Sequence, residues 1–354
     1  MRGQYAEMVA YLLFWFERNA RLLAWREHPS PYYVWVSEIM LQQTRVEAVK
    51  GYFDRFIAEL PDIQALALAS EDRLLKLWEG LGYYNRVRNM QKAARIVVEQ
   101  YGGELPADYE QLKQLPGIGA YTAGAIASIA FGLPEPCVDG NVLRVCMRVS
   151  GSYDDITKET VKKELTSRLR EVLPADRPGM FNQALMELGA LICLPNGKPH
   201  CEECPVMHLC QAFHKDIVME LPVKPEKKAR RIEKRTVFLL RVPAGQEEGL
   251  ILHRRPGRGL LAGLWELPGV DGHLEREHAA RHLLSEYAPE RPMTLRRLPD
   301  GRHVFTHVEW RMRCYEVRLL PERLPADCTV FSKAELEQEV SVPSAFACFK
   351  KYFK

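Results

Sequence analysis

Apolar positions along the first part of the chain recur at helical spacing over 5–20, 34–57, 71–80, 86–100, 107–115, 119–131, 141–150, 157–173 and 177–193. Breakers separate these stretches: His28-Pro-Ser-Pro31, Gly102-Gly103, Pro116-Gly-Ile-Gly119, Pro134-Glu-Pro136 and Pro174. Proline removes an amide donor there, and glycine admits backbone angles closed to other residues. From Thr236 the period shortens toward two, in 236–242, 250–253, 304–308 and 311–317, as in half-buried strands. Helical stretches near 273–288 and 333–351 accompany them. The pattern predicts a multidomain protein: an all-α domain over 1–215 and an α+β domain over 236–354. Between them 216–235 reads as a linker, because Leu221-Pro-Val-Lys-Pro225 is extended and Lys224 to Arg235 carries seven basic residues against two acidic ones. Such a segment serves as a solvated spacer or as a phosphate contact.

Composition adds little to this division and excludes several classes. The 354 residues allow two or three domains with cores of their own, and 47% hydrophobic with 27% charged residues describes a globular chain. The net charge of +3 is too small to argue for a polyanionic partner, so any basic surface must be local. The early apolar run Val9 to Phe16 is eight residues long, too short to cross a bilayer, and no signal-peptide pattern follows it. Nine cysteines, with Cys137, Cys146, Cys314, Cys328 and Cys348 scattered, do not make a disulfide framework. A cytoplasmic protein without a membrane partner is expected.

Cys193, Cys201, Cys204 and Cys210 stand apart, held in one turn-rich segment by Pro195, Asn196-Gly197, Pro199 and Pro205. Four thiolates this close make a metal centre, either tetrahedral zinc or an iron–sulfur cluster. Structural zinc draws on paired C-x₂₋₄-C knuckles, whereas here only Cys201 and Cys204 form one. That asymmetry favours a [4Fe-4S] cluster, with His200 as a minor alternative ligand.

Three further segments carry chemistry. In Leu115-Pro-Gly-Ile-Gly119-Ala-Tyr121, Pro116 ends one helix, while Gly117 and Gly119 allow a tight turn with bare amides before the next. The positive end of that second helix suits a phosphate, read without regard to sequence. Asp139 precedes a helix, where N-capping is the ordinary role. Glu38 lies among Val34, Trp35, Val36, Ile39, Met40 and Leu41. If buried there its pKa rises and a proton is available near neutrality; if exposed, it is an ordinary helix glutamate. Gln42 lies one turn further on the same face.

Together these pieces resemble one family. The cysteine set, Leu115-Pro-Gly-Ile-Gly119, Val138-Asp-Gly-Asn141 and Ser37-Glu-Ile-Met-Leu-Gln-Gln-Thr44 are similar to those of the helix-hairpin-helix DNA glycosylases, and within them of the adenine DNA glycosylases (MutY type). Trp78-Glu-Gly-Leu-Gly-Tyr-Tyr84 and Phe181-Asn-Gln-Ala-Leu-Met-Glu-Leu-Gly189 fit the same pattern, so the resemblance covers nearly the whole chain. It implies a helical glycosylase domain with its hairpin near 107–131 and an iron–sulfur loop at 193–210, followed by a Nudix-like module. The implied activity is hydrolysis of the N-glycosidic bond of adenine mispaired with 8-oxoguanine or guanine in double-stranded DNA, by a monomer, at the start of base excision repair.

The resemblance also assigns roles. Glu38 would protonate adenine N7 and later activate water, and Asp139 would stabilise the oxocarbenium-like sugar. This is the two-carboxylate logic of glycoside hydrolysis, on a base taken out of the stack. Trp25, Arg26, Gln43, Tyr121, Asn141 and Gln183 would line the adenine pocket. Gln42, Gly117 and Gly119 would contact DNA, and Tyr83 would wedge into the stack. His303-Val-Phe-Thr-His307 matches the family's Phe-Ser-His loop, so Phe305, Thr306 and His307 would read 8-oxoguanine, with Thr306 replacing serine. Bifunctional relatives of the endonuclease III type place a Schiff-base lysine where this chain has Tyr121, and Ser-Ala-Gln where it has Leu41-Gln-Gln43, so base removal without strand cleavage is expected. The Nudix-like module includes Leu260-Leu-Ala-Gly-Leu-Trp-Glu-Leu-Pro-Gly269. Its acids after Gly269, Glu275, Glu277 and Glu286, are too scattered for pyrophosphatase chemistry. One departure is the spacing of the first two cysteines, seven residues here against the family's usual six, in a turn segment where an extra residue costs little.

Overall fold

The computed structural model describes residues 2–226, 229–244, 247–289 and 293–353. They form two compact units: Met1–Leu68 with Arg88–Glu226, and Ala69–Val87 with Lys227–Lys354. Of the linker expected at 216–235, Lys227 and Lys228 lie outside the described residues, as do Gly245, Gln246, Glu290, Arg291, Pro292 and Lys354 of the expected C-terminal domain and Met1 of the helical one.

The helices begin, in chain order, with α1 (Arg2–Asn19), α2 (Ala24–Glu27), α3 (Pro31–Leu41), α4 (Val46–Glu59), α5 (Ile63–Leu68) and α6 (Glu71–Leu77). They continue with α7 (Asn85–Gln100), α8 (Tyr109–Gln114), α9 (Ala120–Ala125), α10 (Gly140–Ser150), α11 (Glu159–Val172), α12 (Pro178–Leu191) and α13 (Gln211–His214). All but α6 and the first turn of α7 belong to the first unit. There α1, α10, α11 and α12 bury Leu12, Phe16, Leu143, Leu165, Phe181 and Leu188 in one core. α3 packs on α4, on α9 and on the π-helical turn Ile126–Ala130 that follows it.

The second unit holds a seven-stranded sheet. Its strands are β1 (Arg231–Ala244), β2 (Glu247–Arg254), β3 (Trp265–Glu266), β4 (Gly269–Asp271), β5 (Thr294–Val304), β6 (Val308–Arg318) and β7 (Cys328–Phe331), with α14 (Arg276–Tyr287) and α15 (Lys333–Gln338). The order is β3-β2-β1-β6-β5, with β4 on β1 and β7 on β2. β1 and β6 run parallel, and the other pairs are antiparallel. One face buries Val237, Leu239, Trp310 and Met312 against Phe346 and Phe349; the other buries Phe238, Leu240, Tyr315 and Val317 under α14. Residues 69–87 join this unit. Lys76 donates to the carbonyls of Leu336 and Val340 at 3.1 and 3.0 Å, and Lys350 bonds Glu79.

Four expectations change. The apolar pattern over 34–57 is not one helix: it breaks at 42–45, where Gln43 is left-handed (φ 59). Val46, Val49 and Phe53 happen to stay in phase with the helix before, which is why periodicity missed the break. Residues 305–307 are a turn joining β5 to β6, not part of a strand. The stretch 333–351 is helical only over α15 and then folds into short 3₁₀ turns, Ser344–Phe346 and Lys350–Tyr352, that insert their aromatic residues into the sheet face. The linker is shorter than expected, because Arg231 already pairs with Val308 in β1 and β6. There the pull of the partner strand's edge outweighs the local charge.

Candidate active site

α3 is placed by Ser30, whose side chain accepts from the Tyr33 amide, and by Pro31 at its first position. Nearly every side of it is buried, so Glu38 is carried inside at 6% exposure. Burial pushes the Glu38 carboxyl up to about 7; the bond from Tyr121 pulls it down, and the nearby Asp139 pushes it further up. The Tyr121 hydroxyl donates to Glu38 Oε2 at 2.7 Å and lies 3.0 Å from Met186 Sδ. A carboxyl titrating near neutrality is suited to general acid work.

Asp139 comes from a distant part of the chain. It caps α10: Oδ1 accepts from the Val142 amide and Oδ2 from Asn141 Nδ2, both at 2.7 Å. Burial, the largest influence, pushes its carboxyl up, and the bonds from Val142 and Asn141 together with the charge of Arg144 pull it back. Asp139 holds two hydrogen-bond donors suited to an anion, whereas the Glu38 environment favours the neutral acid. Both carboxyls are raised on balance by burial, but the Asp139 anion is met by two donors and the Glu38 carboxyl by one, Tyr121. That is the difference in surroundings that an acid and an anion working together need.

Both carboxylates line one cavity of about 490 Å³. All the residues expected to line the adenine pocket border it: Trp25, Arg26, Gln43, Tyr121, Asn141 and Gln183. Gln42, expected at DNA, lines the same cavity and reaches Thr122 Oγ1 at 3.4 Å. The break after α3 is what turns Gln42 and Gln43 toward this space. Trp25 has a second role, packing edge-on against Phe53.

Sequence reasoning passed over Arg21 and Glu187, which also border the cavity, and Arg144 beyond Asn141. Glu187, 1% exposed, accepts from Arg21 Nε at 2.7 Å, Arg21 Nη2 at 2.8 Å and Arg26 Nη2 at 2.9 Å. Burial would raise its carboxyl, but the two arginines outweigh that and hold it at about 2. On the other side Arg144 donates to Asn141 Oδ1 at 2.9 Å, to the Gly189 carbonyl at 2.7 Å and to the Cys193 carbonyl at 2.7 Å. Two arginines four residues apart, Arg144 and Arg148, in the otherwise apolar helix α10 were the available signal. Gly189 is glycine because a Cβ there would stand 2.6 Å from Asn141 Cβ.

Glu187→Ala is expected to cost about 3 kcal/mol in urea unfolding, because two arginines lose their buried partner. The sign with pH follows from the depressed carboxyl. The stabilisation is complete above the ordinary carboxylate range and fades as pH falls toward about 2. The wild-type and variant stabilities should therefore converge in strong acid, and a constant gap down to pH 2 would contradict the pairing.

The four cysteines line a second cavity, walled by Val145, Val149, Leu188, Ile192, Val206 and Met207. Among the described residues no three His, Cys, Asp or Glu side chains converge as a single-ion site; the thiols surround a shared space. Burial pushes Cys204 up to about 12 and raises Cys201 and Cys210, so a cationic centre is needed to hold them as thiolates. Arg148 Nη1 lies 3.2 Å from Cys193 Sγ. These soft donors in an apolar wall fit an iron–sulfur cluster.

Gly117 has φ +80, and a Cβ there would meet Asn89 Cβ at 2.8 Å, so both backbone and space demand glycine. Gly119 is extended (φ −88, ψ 179) and open, and it precedes α9, so its bareness concerns access rather than conformation. In the second unit Tyr83 is half exposed, with φ 48, and its hydroxyl lies 2.8 Å from Thr306 Oγ1. Thr306 and His307 are exposed at the β5–β6 turn, whereas Phe305 packs edge-on against Trp310 at 4.9 Å. Phe305 therefore anchors the turn from beneath.

A model of the HhH-GPD superfamily of base excision DNA repair proteins matches residues 36–171, and one of the NUDIX domain matches 236–350. The adenine DNA glycosylase of Homo sapiens is 35% identical over 406 residues, covering 99% of this chain and 74% of that protein. Its counterpart in Rattus norvegicus is 38% identical, covering 90% and 72%. Among solved structures, a thermostable thymine-DNA glycosylase is similar at TM-score 0.54 and 28% identity, covering 60% of this chain and 98% of that one. An endonuclease III–DNA complex shares the fold at TM-score 0.53 and 24% identity, covering 61% and 98%. No described helix is long and apolar enough to cross a membrane.

Proposed function

This chain belongs to the adenine DNA glycosylase family and is a DNA glycosylase of base excision repair, and we propose that it removes adenine mispaired with 8-oxoguanine or guanine in duplex DNA, without cutting the strand. The observation that carries this reading is the pairing of Glu38 and Asp139 on one cavity, with a tyrosine at position 121, where a lyase would carry its lysine.

The chemistry follows from the residues. An adenine turned out of the stack into the cavity meets Glu38, which donates its proton to N7. The C1′–N9 bond then breaks with its electron pair passing to the protonated base, a better leaving group than the anion. Positive charge develops on the sugar, and the Asp139 carboxylate, whose anion the Val142 amide and the Asn141 side chain solvate, stabilises it. Water adds at C1′, giving up a proton to Glu38. The products are free adenine and an abasic site. With no amine at position 121 to attack C1′, the reaction stops there.

Around this centre, Trp25, Arg26, Gln43, Asn141 and Gln183 would hold the base. The hairpin at Gly117 and Gly119 would hold a backbone phosphate, and Gln42 would contact DNA beside the flipped nucleotide. Tyr83 would fill the stack, and the Thr306 hydroxyl, supported by Phe305 and beside His307, would read the oxidised guanine. A [4Fe-4S] cluster on Cys193, Cys201, Cys204 and Cys210 would supply a structural crosslink that fixes the loop carrying Lys198 near phosphate.

The test is turnover of matched duplexes with adenine opposite 8-oxoguanine, guanine or thymine. Release is expected from the first two, with the abasic strand intact until base or heat is added. Strand cleavage without either would favour a bifunctional enzyme. Thr306→Ala is expected to lower the preference for 8-oxoguanine over guanine roughly tenfold, the worth of about one hydrogen bond to a base edge. An unchanged ratio would remove the turn from partner recognition.

A further inference from the structure

The sheet of the second unit has one end of a face that α14 leaves bare, and its side chains are cations. Lys234 of β1 stands opposite Arg311 of β6, and Arg311 opposite Arg302 of β5. The row therefore crosses three adjacent strands at about 4.8 Å per step. Like charges placed directly across strands repel, so packing does not explain the row. One carboxylate intervenes: Glu309 accepts from Arg302 Nη2 at 2.7 Å and from Arg311 Nε at 2.9 Å. The Glu309 side chain is 9% exposed, whereas Arg302 and Arg311 are 66% and 51% exposed. Each arginine thus spends part of its fork on Glu309 and keeps the rest outward. His273 contributes Nε2, 3.0 Å from the Arg311 carbonyl, and Asp300, already bonded to Arg297, closes the far side. Arg302, Glu309, Arg311, His273 and Asp300 border a hollow of about 400 Å³, and Lys234 extends the row beyond it through the strand register.

The row begins two residues before the end of β5 and lies three past the start of β6, the strands that flank the turn bearing Thr306. At strand rise that is about 13 Å from the turn, a few base steps along a duplex. We propose that Lys234, Arg302 and Arg311 form a phosphate row that holds the backbone of the substrate duplex beside the inspected pair. Glu309 holds the two guanidinium groups side by side and competes with phosphate for part of each fork. The inference rests on the reading of the 305–307 turn as a DNA contact. A row of points spaced across strands suits a polyanionic backbone rather than a peptide side chain.

The experiment measures duplex affinity of the full-length protein across a salt series. Removing two phosphate contacts should lower the slope of log K against log salt by about 2, and removing one by about 1. The variant Arg302→Gln/Glu309→Gln/Arg311→Gln should show the first change, and Lys234→Gln the second. Taking all three of the central charges together avoids stranding Glu309 without partners. Glu309→Gln alone should tighten binding, because both forks become free for phosphate; a merely structural Glu309 would give equal or weaker binding. Arg281→Gln/Arg323→Gln, which removes the same number of arginines elsewhere in the unit and a larger net charge, should leave the slope unchanged. An unchanged slope in the triple variant overturns the proposal. So does inhibition by inorganic phosphate at constant ionic strength with the slope intact, which would mark a site for a free anion. Adenine release by the wild-type protein is scored separately, so a failure of the glycosylase reading is distinguishable from a failure of the row.

Discussion

Glu38→Gln is expected to lower adenine release by roughly 10²–10⁴-fold in single-turnover assays, the usual worth of a positioned general acid. DNA affinity should change little, because the amide keeps the shape and still accepts from Tyr121. The same substitution should stabilise the fold at alkaline pH. A carboxyl raised to about 7 in the folded protein binds a proton there that the unfolded chain has already lost, so stability falls as pH rises from the ordinary glutamate range to about 7. The full penalty is about 3 kcal/mol above that range. At pH 8 the variant should therefore melt several degrees above the wild type, and at pH 4 the two should coincide. In the wild-type protein kcat/KM should fall as pH rises through about 7. A variant with near-normal turnover, or a flat alkaline limb, would remove Glu38 from the reaction.

Asp139→Asn separates charge from architecture. Asparagine is as good an N-cap as aspartate, so the Val142 amide keeps its acceptor and α10 keeps its start. Stability should stay within about 1 kcal/mol, while release falls by roughly 10³-fold because the sugar's charge has lost its counter-ion. Single-turnover kinetics beside thermal melts would check both halves. If turnover survives the substitution, the anion is unnecessary and another group must stabilise the sugar. A collapse of stability would mean that the anion is needed for the fold.

Much of the candidate site's geometry could be read from the chain, for reasons particular to each piece. Glu38 is enclosed by apolar neighbours on its own helix, so its burial was a local property. The cysteines lie within one turn-rich segment, and proximity in sequence there equals proximity in space. Asp139 was ambiguous because its capping role is real; only the fold brings the cap to the cavity holding Glu38. The arginine pairs were less visible. Glu187 is bound by Arg21 and Arg26 across more than 160 residues, and no local pattern announces such a contact. β3, β4 and β7 were missed because strands of two to four residues are too short to show a period, and their pairing is dictated by the longer strands beside them. The helix predicted near 333–351 failed for a related cause: its aromatic residues have helical spacing but serve a sheet face.

The enclosure of residues 69–87 within the C-terminal unit has a consequence for biogenesis. When the ribosome has made Lys76, the carbonyls of Leu336 and Val340 that receive it are still untranslated. At bacterial-like elongation speeds they follow after roughly tens of seconds. A nascent chain must therefore keep this stretch unsettled, and open to chaperones, while the polypeptide on either side of it condenses. Premature termination anywhere before β1 would leave Tyr83 on a segment whose mates never arrive.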